Sequence, residues 1–83
     1  MREVRSAREQ QKLQELLRQL RVDAGLRQID VARELGLPQS MVSKYEIGER
    51  RLDMLEIRDL CRLFGIGLLD FVKKFEELMK DEK

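Results

Sequence analysis

The chain has no histidine and no tryptophan, and only one cysteine, one proline and one tyrosine among 83 residues. Each scarcity excludes something. Without histidine, and with Cys61 as the single thiol, one copy cannot assemble a zinc site of the Cys/His kind. An internal disulfide framework is excluded too, which fits a reducing compartment. Cys61 is read as a small buried core residue rather than a redox switch. No nucleophile–base pair stands out, so the chain reads as a non-enzyme with no cofactor, no metal and no small-molecule ligand. No apolar run approaches the ~20 residues of a membrane span. Met1 to Lys12 is charged throughout, where a signal peptide would carry an apolar core. The expected location is the cytoplasm. Strand signals are missing as well, with no sustained apolar/polar alternation and no Asn-Gly or Asp-Gly hairpin turn.

Charge of one sign is also missing. Seventeen basic and sixteen acidic residues leave a net charge of +1. A nucleic-acid role therefore needs a local basic patch rather than a global field. Residues 1–12 carry four basic and two acidic groups, residues 13–67 nine of each, and residues 68–83 four basic and five acidic. The last segment is the least suited to a polyanion.

What is present is helical periodicity. A first helix is expected from about Ser6 to Ala24, opened by Ser6 and Glu9 as a capping box and stopped by Gly25. Leu13, Leu16, Leu17, Leu20 and Ala24 share one of its faces. A second helix covers about Gln28 to Leu35, ended by Gly36, with Val31, Ala32 and Leu35 inward. A third covers about Gln39 to Glu46, after Pro38. Asp53 with Glu56 forms another box and opens a fourth, Met54 to Phe64, with Leu55, Leu60, Leu63 and Phe64 as its apolar face. A fifth covers about Leu68 to Lys80. The expected fold is all-α, a compact five-helix domain. Residues 1–12 form a charged extension of the first helix, 13–72 the domain proper and 73–83 the end of an extended C-terminal helix.

The second and third helices, with a Gly-containing turn between them, fit a helix-turn-helix. In the third helix, successive residues turn by about 100°. Val42 and Tyr45 fall on one side, with Met41 flanking. Gln39, Ser40, Ser43, Lys44 and Ile47 fall on the other, and none of them is acidic. Gln39 can pair bidentately with adenine, Lys44 can donate to guanine or a phosphate, and Ser40 and Ser43 are short enough for close approach. Gln28, Arg27, Arg50 and Arg51 are candidate phosphate contacts around this face. A solvated polar surface is the plain alternative for all of them.

Residues 13–72 resemble the lambda-repressor-like (Xre/Cro) helix-turn-helix family. The segments that carry the resemblance are Leu26 to Gly36, Pro38 to Glu46, Gly48 to Asp53 and Leu60 to Gly65, in that order. The resemblance implies double-stranded DNA as partner, a phosphate contact by Gln28 and base contacts by Gln39, Ser40 and Lys44. It also implies an ion pair between Arg21 and Glu46. It places the protein in a bacterium or phage. Three residues depart from the family pattern. Arg27 replaces the usual Thr or Ser cap, Ile47 replaces a small polar residue, and Gly67 replaces a frequent Ser cap.

The last helix carries Phe71, Phe75, Leu78 and Met79 at stripe spacing, which is expected to form a homodimer interface, the plain alternative being that its end packs on the long first helix. Two copies would then place two recognition helices about 34 Å apart on a palindromic operator. A restriction–modification controller, an antitoxin and a phage-type repressor all fit so small a regulator. The competing reading is a helical protein–protein interaction module or scaffold without DNA binding. The salt dependence of binding to duplex separates the two.

Overall fold

The computed structural model describes residues 2–80, with side chains from residue 7 onward. Among these residues the chain forms five α-helices and no strand: α1 (Arg2–Asp23), α2 (Gln28–Leu35), α3 (Gln39–Glu46), α4 (Met54–Phe64) and α5 (Leu68–Met79). The four later helices begin where the spacing and stop signals put them. The first does not. The backbone is already helical from Arg2, so Ser6 and Glu9 lie inside α1 and not at its start. Ala24 lies beyond its end and is exposed.

Local chemistry explains the sharp ends. Gly36 follows α2 at φ +66°, and its N–H reaches the Arg33 carbonyl while the Leu37 N–H reaches that of Ala32 at 2.8 Å. This pair of bonds satisfies the last carbonyls of α2, and only glycine adopts the left-handed angle without penalty. At α4 the capping box is complete. Asp53 accepts from the Glu56 N–H at 2.8 Å, and Glu56 accepts from the Asp53 N–H at 2.9 Å. Arg27, at the N-cap of α2, has no oxygen to offer. Asp30 substitutes from inside the helix, accepting the Arg27 N–H at 2.8 Å and its guanidinium at 2.9 and 3.0 Å. Those donors hold the Asp30 carboxyl down at about 2, so it stays charged in mild acid. The helix therefore starts firmly despite the missing Thr or Ser.

The core gathers Leu16 and Leu17 of α1, Val31 and Ala32 of α2, Val42 and Tyr45 of α3, Leu60 and Cys61 of α4, and Phe71 of α5. Helix α2 packs against α3 and α4, α1 against α3 and α5, and α4 against α5. Each helix thus contributes one or two side chains to a shared centre, and α3 is clamped from both sides. Cys61 is 1% exposed, and burial raises its thiol pKa. It is a packing residue.

Three sequence expectations change here. Phe71 is 4% exposed and belongs to the domain's own core, where the sequence expectation had put it on an outer stripe. Phe75 and Leu78 pack inward on the same cluster and Met79 is half-buried, because α5 folds back onto α1. The stripe from Phe71 to Met79 thus contributes to the monomer's own core, while Phe71 and Phe75 also line an open groove beside α4. Leu55, expected inside, is 69% exposed, and Val72 is 40% exposed. Leu55 sits about 140° round the helix from Leu60, which faces the centre.

Tyr45 is 2% exposed, and its hydroxyl has no hydrogen-bond partner among the described residues. Burial, with the nearby Glu46 charge, pushes its pKa above the ordinary phenol range. A buried unpaired hydroxyl is worth roughly 1–3 kcal/mol of destabilisation. Tyr45→Phe is expected to raise the urea midpoint with unchanged slope. A lowered midpoint would mean that the hydroxyl is bonded in solution.

Candidate nucleic-acid interface

The site is the outer side of α3. Its inner side is fixed by Val42, Tyr45 and Glu46, all buried, so the opposite arc has no choice but to face solvent. Gln39, Ser40 and Lys44 are exposed on that arc and Ser43 is half-exposed. Ile47, the C-cap, is 62% exposed at its end. These side chains form one continuous strip, and no carboxylate lies among them. The N-cap residue is Pro38, with no side chain bonded to the first N–H groups; the Met41 N–H reaches the Pro38 carbonyl at 3.0 Å, and those of Gln39 and Ser40 stay open.

Glu46 fixes how α3 is held. Its side chain is only 3% exposed and receives three donors from two other helices. Arg21 of α1 gives Nε to Oε2 at 2.7 Å and Nη2 to Oε1 at 3.2 Å. Gln28 of α2 gives Nε2 to Oε1 at 3.0 Å. The remaining Arg21 nitrogen, Nη1, donates to the Leu26 carbonyl at 2.8 Å, on the loop before α2. One carboxylate thereby ties α1, α2 and α3 into a fixed geometry. The Arg21–Glu46 pair is formed as the resemblance implies. Gln28 does more than the sequence assigned to it, since one of its two amide hydrogens is committed to Glu46. Its other hydrogen and its backbone N–H stay at the start of α2.

The four candidate phosphate groups are not equivalent. Arg51 is exposed, and no described residue pairs with its guanidinium. Arg50 is held by Glu56 at 2.7 and 3.3 Å and also donates to the Arg51 carbonyl at 2.9 Å. The Arg50 guanidinium in turn lowers the Glu56 carboxyl below its usual range. Arg50 thus braces the α3–α4 turn onto the cap of α4, and it would have to leave Glu56 to clamp a phosphate. Arg27 is 74% exposed at its side chain but shares its charge with Asp30. Glu56 was legible only as a cap. Its second role needed the turn to bring Arg50 back over α4.

One further contact escaped the sequence reading. Gly48 stands at φ +84°, directly under the amide of Gln14 from α1, and a Cβ there would collide with that amide. The left-handed angle is what requires glycine there, and the Gln14 side chain of α1 lies close over it.

No helix among the described residues is long and apolar enough to cross a membrane. Among the same residues, no group of acidic or thiol side chains is arranged to hold a metal ion.

The chain compares with known proteins as this geometry leads one to expect. A helix-turn-helix family profile matches residues 17–71. A solved structure, an XRE-family like protein from Pseudomonas syringae pv. tomato str. DC3000, is 41% identical and superposes with a TM-score of 0.80. That match covers 88% of this chain and 89% of the other. No curated protein sequence is significantly similar. With the profile spanning α1 to α5 and the relative matched over nearly its whole length, the chain belongs to the XRE family of helix-turn-helix DNA-binding regulators.

Proposed function

We propose that this protein is a sequence-specific transcription regulator that binds double-stranded DNA by laying the outer strip of α3 in the major groove, and that it acts as a dimer on a palindromic operator. The observation that carries the reading is the strip itself: Gln39, Ser40, Ser43 and Lys44 side by side on a helix pinned from behind, with no acidic member. Gln39 and Lys44 supply the hydrogen bonds that distinguish bases, and the two serines let the backbone approach. Arg51 and the start of α2 at Gln28 hold the phosphates on either side, joined by Arg27 and, once released from Glu56, by Arg50. With a net charge of +1 the protein gains little from its overall field, so affinity rests on these few groups. A domain this small holds one α3 per copy, and pairing doubles the readout.

The test is selection of duplexes from a random pool, followed by variants on the selected site. Gln39→Ala is expected to lose about 1–3 kcal/mol of discrimination at one base pair and little elsewhere. Arg51→Ala is expected to weaken all sites alike and to flatten the salt slope by about 1. A pool that yields no enriched sequence at low salt would sink the regulator reading. It would leave the protein-interaction module as the better account.

A further inference from the structure

The outer strip of α3 has one member that hydrogen bonding does not account for. Ile47, at the C-cap, is 62% exposed and takes no part in the core cluster. Its N–H still bonds to the Ser43 carbonyl at 3.2 Å, so the helical turn of about 100° per residue holds as far as this residue. Counted from Gln39, Ser43 falls at about 40°, Ile47 at about 80°, Ser40 at about 100° and Lys44 at about 140°. Ile47 therefore lies in the middle of the arc, not at its edge, and about 12 Å along the axis from Gln39. Its backbone is anchored. The neighbouring Glu46 is pinned by Arg21 and Gln28, Gly48 turns the chain at φ +84°, and the Glu49 N–H returns to the Lys44 carbonyl at 2.8 Å. We propose that Ile47 is a specificity-determining residue, whose side chain packs on the C5-methyl group of a thymine in the major groove.

The chemistry of the groove selects that occupant. Its base edges present hydrogen-bonding atoms, and the thymine methyl is the apolar group among them. Isoleucine set against another edge would strip water from a donor or acceptor and give no bond in return. Against the methyl, two apolar surfaces leave water together. Branching at Cβ restricts χ1, so the side chain has little rotamer freedom to lose on contact. At 3.4 Å per base pair, the thymine lies about three to four base pairs from the base read by Gln39. The rival occupant is a deoxyribose of the backbone, which carries no sequence information. The inference rests on the major-groove reading above and names one base group that the strip reads.

The test changes the DNA first. In the selected site, each thymine is replaced in turn by deoxyuridine, which removes only the methyl group. At one position the native chain is expected to lose about four-fold in affinity, the size of one buried methyl. Ile47→Ala is expected to bind the thymine and uracil duplexes alike, and Ile47→Val to keep most of the preference. At the same position, 5-methylcytosine is expected to bind the native chain more tightly than cytosine does, and to make no difference to Ile47→Ala. The exposed position predicts an unchanged urea midpoint for Ile47→Ala. A site at which no thymine methyl counts would overturn the inference, as would a uracil penalty that persists in full in Ile47→Ala. A uniform loss on every sequence in Ile47→Ala would assign the side chain to the sugar–phosphate backbone and overturn it too. In each of these cases the enriched site itself remains and the regulator reading stands. A pool with no enriched sequence removes both.

Discussion

Glu46→Ala is expected to destabilise the domain by about 3–5 kcal/mol, because it leaves the Arg21 charge inside the protein without its partner. The Arg21 side chain is 11% exposed, so water cannot replace the lost carboxylate, and only the Leu26 carbonyl remains to it. Gln28 loses its acceptor at the same time. A small domain has about 5–15 kcal/mol in total, so this is a large share. In a domain of this size each kcal/mol moves the melting temperature by ~4–8 °C. Arg21→Met together with Glu46→Leu should recover most of the loss, since a buried pair replaced by apolar groups of similar size is often close to neutral. Thermal unfolding of the single and double variants decides the matter. A single-variant loss below about 1 kcal/mol would mean that the pair is solvated and does not tie the helices. DNA selection on the double variant adds a second readout: a stable protein with relaxed sequence preference would show that the pair orients α3.

The second large effect is expected at Leu17. Leu17→Ala should cost about 2–5 kcal/mol, the range for removing a buried leucine side chain and leaving a cavity. Leu17 is 1% exposed in the core cluster, on α1, which packs on α3 and α5. The contrast is Leu55→Ala, at 69% exposure, for which the expected change is within about 0.5 kcal/mol. Chemical unfolding of both variants in dilute solution compares them directly. Equal losses at the two positions would mean that α4 buries its outer side in solution, in contradiction to the packing described here.

These two leucines also mark how far the sequence could be read. Both sit in amphipathic segments, and nothing in the residue type separates them. Helix α1 is periodic enough to predict Leu17 inside. The first turn of α4 offered Met54, Leu55 and Ile57 together, and the three point in different directions once the helix is placed. The same limit applied at the ends. The Ser6–Glu9 spacing had the form of a cap, but the chain before it continues the helix from Arg2. On α5, a stripe of Phe71, Phe75, Leu78 and Met79 is a correct description of one face. How much of that face meets α1 depends on where the helix lies, and α5 does pack on α1.

By itself the sequence determined the local grammar of this protein. Glycines at the ends of helices, the Asp53–Glu56 box and the apolar spacing of α2 to α5 are short-range signals. They act within four or five residues, so they can be read without the fold. They placed the outer strip of α3 as well, because Val42 and Tyr45 define its inner side. The tertiary structure decided every property that depends on residues far apart in the chain. It joined Arg21, Gln28 and Glu46, turned Arg50 onto Glu56, brought Gln14 over Gly48 and consumed Phe71 in the core. It also left Met54, Leu69 and Val72 in solvent. The physical reason is the same in each case. A side chain's burial and its hydrogen-bond partners are set by the helix packed opposite it, and that neighbour is not written in its own segment.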